Sequence, residues 1–207
     1  MSGFDETFDF VVVGSGGGSM CAAVVACSAG KTALVLEKTS LIGGTTARSG
    51  GVMWIPNNPY MTKAGVPDSL EAAVQYLDAV VGDHNDTPGA SKARRRAFLE
   101  EGPKMLDFLI DKGLKFSRIT SWPDYYDEAP GGSVPGRTVV ADLFDANELG
   151  EAKKLLRPNF LTLPVSLEDA LKLPHVKKSW AAKKALVRMG LRIVGSKLTG
   201  KNYVTAG

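Results

Sequence analysis

Apolar and polar positions predict a strand, a helix and a second strand within the first forty residues. Phe8 to Val13 is a short apolar, β-branched run, the pattern of a buried strand. The block Gly14-Ser15-Gly16-Gly17-Gly18-Ser19 follows at once. Met20 to Ala29 is small and apolar and meets Gly30, a helix stop. Thr32 to Leu36 is a second buried strand closed by Glu37. Together they form a βαβ unit of about thirty residues, which implies a parallel sheet.

Beyond it the pattern changes. Ile42 to Asn58 is glycine-rich and irregular. Such a long loop predicts function. Asp68 and Ser69 cap a helix that carries Leu70, Ala73, Val74, Leu77, Val80 and Val81 at helical spacing up to Gly82. Another helix runs from about Ser91 to Glu101, where Gly102-Pro103 predicts a break. A third starts at Lys104, turns Leu106, Leu109 and Ile110 inward and stops at Gly113. Ser117 to Val140 reads as loop and contains Trp122-Pro123-Asp124-Tyr125-Tyr126. Ser166 to Asp169 resembles a capping box ahead of a short helix that Pro174 ends. From Val176, a stripe of Trp180, Val187, Leu191, Val194 and Leu198 lies beside a basic face of Lys177, Lys184, Arg188 and Arg192. Gly190 and Gly195 cost about 1 kcal/mol each relative to Ala and predict a bend or break.

Composition adds little except at the ends. The chain has 207 residues, 44% hydrophobic and 23% charged, which excludes a disordered or collagen-like polymer. Charge is uneven: residues 1–150 hold 13 basic and 19 acidic residues, residues 151–207 hold 12 and 3. This predicts a domain over 1–150 and a basic helical segment over 151–207, membrane-facing or lid-like. Phe10 to Gly30 is uncharged, but the glycine block argues against a spanning helix. The opening residues Met1 to Glu6 lack a basic stretch, so no secretory signal and a cytoplasmic location are expected. Cys21 and Cys27 fall on different faces of one helix and make neither a disulfide nor a metal site. His84 and His175 sit in exposed contexts, and Arg94-Arg95-Arg96 reads as a solvated helix face. No nucleic-acid readout motif accompanies the basic segment.

The glycine block has a chemical reading. Gly14 permits the tight turn out of the strand, and Gly16 has no side chain to hold a pyrophosphate away. The following helix aims free N–H groups and its positive end at the anion. The sixth position of the motif is Ser19 in place of Gly or Ala. Glu37, 23 residues after Gly14, stands where an acid binds a ribose 2′-hydroxyl and repels a 2′-phosphate. The unit does not distinguish NAD from FAD, since both contain adenosine diphosphate. Gly43 to Gly51 can approach a second stretch of cofactor, with Arg48 facing a phosphate. The candidate cofactor-binding residues are therefore Gly14, Ser15, Gly16, Gly17, Gly18, Ser19, Glu37, Lys38, Gly43, Gly44, Thr45, Thr46, Arg48, Ser49, Gly50 and Gly51, with no metal ligands.

These segments, GSGGGS at 14–19, LVLEK at 34–38 and IGGTTARSGG at 42–51, resemble the flavoprotein superfamily of fumarate reductase and succinate dehydrogenase. Gly51 to Asn58 and Trp122 to Asp127 are similar to 3-ketosteroid Δ1-dehydrogenases. The resemblance is dense over residues 8–60, supported at 66–82 and sparse to about 140. It implies an α/β fold: an incomplete Rossmann-like FAD-binding domain with helical insertions. It implies FAD, a steroid substrate and an external electron acceptor. In that family a hydride leaves C1 of ring A for the flavin, and a tyrosine takes a proton from C2. Tyr125 matches a family active-site tyrosine, with the implied role of hydrogen-bonding the base and lining the ring-A pocket. The family's principal base, carbonyl-polarising tyrosine and substrate cap lie in later parts of longer chains. The expectation is an N-terminal part of a flavoenzyme that needs the remaining polypeptide or a second chain. Two alternatives stand beside it: another fumarate reductase-type flavoprotein, or a non-catalytic FAD-binding fragment whose stripe over 176–198 meets a membrane surface.

Overall fold

The computed structural model describes residue 3 and residues 5–82, 88–133, 135–159 and 164–204; the expectation for His84 lies outside these residues. In chain order the elements are β1 (Phe10–Val13), α1 (Gly17–Ser28), β2 (Ala33–Leu36), β3 (Val52–Trp54), α2 (Pro59–Lys63), α3 (Leu70–Val81), α4 (Lys92–Asp111), β4 (Phe116–Arg118), β5 (Thr138–Ala141), β6 (Phe144–Asp145), α5 (Leu167–Lys172), α6 (Trp180–Thr199) and β7 (Tyr203–Val204). Short 3-10 stretches cover Thr46–Arg48, Ala146–Leu155 and Leu173–His175.

Two units result: Met1–Gly51 with Leu143–Gly207, and Val52–Asp142. They cut across the division expected at residue 150. The later segment is stitched to the first by a parallel bridge between Ile42 and Leu156. The Ile42 N–H donates to the Leu155 carbonyl at 2.7 Å, and the Arg157 N–H to the Ile42 carbonyl at 2.9 Å.

In the first unit β1 and β2 run parallel, Phe10 opposite Ala33 and Val13 opposite Leu36, with α1 crossing between them. Asp9 and Thr32 latch the strand starts: each backbone N–H donates to the other's side chain, at 3.0 and 2.9 Å. The expected burial of β1 is corrected. Among the described residues it pairs with β2 alone, so Phe10 and Val11 are exposed and Val13 is 82% exposed. Helix α6 is also unlike its expectation. It starts at Trp180, capped by Ser179, and passes Gly190 and Gly195 without interruption to the left-handed Gly200. Ala182, Ala185 and Met189 are buried, and that packing offsets the two glycines. Val176 precedes the helix. Its basic face is partly neutralised: Arg188 and Arg192 approach Asp169 of α5 at 2.6 and 3.7 Å.

In the second unit β3, β5 and β4 form an antiparallel sheet, with Val52 opposite Val140 and Ser117 opposite Val140 on the other side. Strands thus occupy parts of the stretches read as irregular loop. Their pairing is non-local, which local pattern does not reveal. The core holds Ile55, Met61, Leu99, Leu106, Ile119 and Val139. Helix α4 runs through Gly102-Pro103. A residue before proline is pushed out of the helical region partly by its own Cβ, and Gly102 has none. A Cβ there would also stand 3.4 Å from Ile55, so the helix packs close at this glycine. Arg95 is no solvated residue: its Nη1 donates to the carbonyls of Leu77 and Gly82, both at 3.3 Å.

Candidate functional site

The glycine block turns out of β1 at Gly14, whose φ of 89° favours glycine. It enters α1 through Gly16, which caps the helix with no side-chain bond, and no acid lies in the first turn. Ser15, almost fully buried, joins three segments. Its N–H and Oγ–H donate to Glu37 Oε2 at 3.1 and 2.6 Å, and its Oγ accepts the Gly43 N–H at 2.8 Å. Thr39 holds the other carboxylate oxygen through its N–H, at 3.1 Å. The Ser15 hydroxyl and then the Thr39 N–H hold the Glu37 carboxyl down to about 2. Glu37 is therefore ionised at neutral pH.

The second segment packs on the first. Gly17 N–H donates to Thr46 Oγ1 at 3.0 Å, and a Cβ on Gly17 would stand 3.1 Å from Thr46 Cγ2. A Cβ on Gly43, at φ 110°, would fall 2.5 Å from the Ala47 Cβ. Ser49 Oγ donates to the Thr46 carbonyl and accepts the Gly51 N–H, closing the turn.

Between these walls lies an open groove of about 710 Å³. Of the residues predicted to bind cofactor, Gly14, Ser15, Gly16, Glu37, Lys38, Gly44, Thr45 and Arg48 line it. Gly17, Gly43 and Thr46 bond the two segments together and Ser49 and Gly51 close the turn of the second, while Gly18 and Ser19 belong to α1. The geometry assigns no part to Gly50. Thr39 and Arg157 line the groove too, without a motif in the sequence that marks them. Arg157 Nη2 donates to Thr39 Oγ1 at 2.9 Å and to the Leu41 carbonyl at 3.3 Å. No spacing rule marks an arginine 118 residues beyond the hydroxyl it binds.

Tyr125 belongs to the second unit and is 87% exposed. It borders a separate cavity of about 330 Å³ lined by Trp54, Tyr76, Val80, Trp122 and Tyr126, among others. The Tyr126 N–H donates to the Tyr76 hydroxyl at 3.3 Å, and burial pushes that hydroxyl above its ordinary value. Among the described residues no cluster of His, Cys, Asp or Glu could hold a metal ion.

The FAD binding domain family model matches residues 9–194. The chain belongs to that family. It is 38% identical to a 3-oxosteroid 1-dehydrogenase of Mycolicibacterium smegmatis over 207 residues, covering 98% of this chain and 36% of that protein. It is 40% identical to a 4-oxocyclohexanecarboxylate 2-dehydrogenase of Sinomonas cyclohexanicum over 150 residues, 70% of this chain and 24% of that one. A crystal structure of the 3-ketosteroid Δ1-dehydrogenase of Sterolibacterium denitrificans in complex with 1,4-androstadiene-3,17-dione superposes with a TM-score of 0.77 and 33% identity, over 91% of this chain and 33% of that one. The chain thus spans about a third of the length of the two steroid dehydrogenases, and its match covers about a quarter of the 4-oxocyclohexanecarboxylate dehydrogenase.

The cofactor is FAD. The groove residues fit it. Lys38, Arg48 and Arg157 bring cations for a pyrophosphate, and Glu37 brings an acceptor for ribose hydroxyls. Arg157 Nε is buried with no hydrogen-bond partner among the described residues, a donor still to be satisfied.

Proposed function

We infer that the protein to which this chain belongs is an FAD-dependent dehydrogenase that desaturates a cyclic ketone beside its carbonyl, acting at C1–C2 of a 3-ketosteroid. The observation that carries this reading is identity spread over nearly the whole chain with a 3-oxosteroid 1-dehydrogenase. When bound, FAD supplies the two-electron acceptor for the hydride. The residues of this chain do the rest of the work available to them. The N-terminus of α1, Lys38, Arg48 and Arg157 balance the pyrophosphate charge, and Glu37 orients the adenosine ribose. Tyr125 lines the ring-A pocket and hydrogen-bonds the base that takes the C2 proton. Turnover would require an external electron acceptor.

A smaller ring ketone is the second reading, favoured by the similarity to the 4-oxocyclohexanecarboxylate dehydrogenase. We place the protein in the cytoplasm, with α6 against anionic lipid. Trp180, Val187, Leu191, Val194 and Leu198 are exposed along that helix, with Lys184 beside them. No helix among the described residues is long and apolar enough to cross a membrane.

The test uses the full-length protein with a redox dye as acceptor. A yellow protein that converts a 3-ketosteroid to its 1,2-dehydro product is expected. Turnover of 4-oxocyclohexanecarboxylate without steroid turnover would establish the second reading. A colourless protein, or one that reduces a double bond and desaturates neither substrate, would overturn both.

A further inference from the structure

Asp124 is the sequence neighbour of Tyr125, yet only 3% exposed. Its Oδ1 accepts the indole Nε1–H of Trp54 at 2.7 Å. Its Oδ2 accepts the Ser133 N–H at 3.0 Å and lies 3.5 Å from Arg137 Nη1. Arg137 is 1% exposed and grips Asp68 with two bonds, Nε to Oδ2 at 2.9 Å and Nη2 to Oδ1 at 2.7 Å. Its Nη2 also donates to the Gly131 carbonyl at 2.8 Å, and its guanidinium lies 5.9 and 5.7 Å from the ring centroids of Trp54 and Tyr76.

Two carboxylates and one guanidinium buried together are a costly way to fill a core, and apolar side chains of similar volume do it as well or better. What this cluster does that apolar packing does not is fix one backbone position. The glycines opposite complete the clamp. Gly136 donates its N–H to the Trp122 carbonyl at 2.8 Å, and a Cβ there would fall 1.9 Å from that oxygen. A Cβ on Gly132 would fall 2.4 Å from the Asp127 carbonyl oxygen. Residues 122–127 are thereby held from the inner side while the side chain of Tyr125 projects outward. An exposed loop residue ordinarily moves freely; this one leaves a backbone anchored at its neighbour.

Resting on the tyrosine role given under Proposed function, we propose that Asp124, locked by Arg137 and Trp54, is the positioning residue of Tyr125. The carboxylate touches neither substrate nor cofactor in this role. It sets where the Tyr125 hydroxyl stands, and a displacement of about 1 Å can cost ~10²-fold in rate.

The experiment compares full-length holoenzymes carrying Tyr125→Phe, Asp124→Asn and both, with flavin content, KM and kcat for a 3-ketosteroid as readouts. Asp124→Asn should lower kcat by about 10²-fold with flavin content and KM near those of the parent. Added to Tyr125→Phe, it should lower kcat no further, because the group it positions is already gone. Losses that multiply would overturn the proposal and leave Asp124 a purely structural residue. Full turnover by Tyr125→Phe would overturn the tyrosine role, and this proposal with it. Should Asp124→Asn not fold, Trp54→Phe removes a single donor to Asp124 and keeps a ring. Its smaller kcat loss should likewise vanish in the Tyr125→Phe background, and its persistence there would count against the proposal.

Discussion

The hydroxyl of Ser15 donates to the carboxylate of Glu37 at 2.6 Å, which ties the glycine turn to the end of β2 at the lining of the groove. The bond favours the ionised acid and holds Glu37 down to about 2. The folded value lies below the ordinary one, so the contribution is present above about pH 4.3 and is lost as pH falls towards 2. Ser15→Ala should return Glu37 towards the ordinary carboxylate range. A side-chain carbon NMR titration of Glu37 in the two proteins reads this directly, and coincident curves would dissociate Ser15 from the shift.

Gly43→Ala tests the packing of the two glycine segments. The new Cβ would meet Ala47 at 2.5 Å, and the left-handed φ of 110° is strained for any other residue. The cost should be about 1–3 kcal/mol, with weaker flavin retention because the backbone shift that relieves the contact draws the residue 43 N–H away from Ser15 Oγ. Urea unfolding and flavin release on dilution measure the two effects.

Arg157→Ala should lower flavin affinity in the full-length protein while far-ultraviolet circular dichroism stays unchanged. Hydrogen bonds to a charged group are worth about 1.5–3 kcal/mol, so a roughly 10–100-fold rise in the flavin Kd is expected. Arg157→Lys keeps the charge but not the planar fork, and should recover part of the loss. Equal affinity in all three proteins would rule out a part for Arg157 in holding flavin.

Asp169 links α5 to α6. Burial opposes its ionisation, but the hydrogen bonds from Arg188 and Ser166, with the charges of Arg188 and Arg192, win and lower its value. The stabilisation is complete above the ordinary carboxylate range and fades as pH falls below it. Because Arg188 is half exposed, its removal in Arg188→Ala should cost only about 1 kcal/mol. The difference from the parent should shrink in acid, and a constant difference from pH 7 to pH 3 would contradict the pairing.

The parts legible in the sequence were those set by neighbours along the chain. The βαβ unit and the Ser69-capped helix α3 follow from local pattern, and both are present. Gly190 and Gly195 do not break α6 because packing at Ala182, Ala185 and Met189 outweighs a local cost near 1 kcal/mol per glycine, and Pro103 does not break α4 because Gly102 has no Cβ to clash with its ring. Strands β3, β4 and β5 were invisible because partners such as Val52 and Val140 are far apart in sequence. Arg157 was missed for the same reason.

Residues 1–207 expressed alone should self-associate. Phe10, Val11, Val13, Val25 and Leu36 are all exposed around one two-stranded sheet, and such surfaces and edges pair with other chains. Light scattering across a concentration series is the measurement. A monodisperse 22.0 kDa monomer at every concentration would refute the expectation.

The bridge between Ile42 and Leu156 also sets a timetable. The glycine turn, Glu37 and Thr39 are close in sequence and can meet as soon as they leave the ribosome. The Leu41 carbonyl must wait for an arginine 116 residues later. At about 5–20 residues per second that interval is on the order of ten seconds. During synthesis a nascent chain therefore holds both glycine segments well before the arginine that completes the groove. The Arg157 side of the groove is completed late in the birth of the protein, after Val52–Asp142 has already been made.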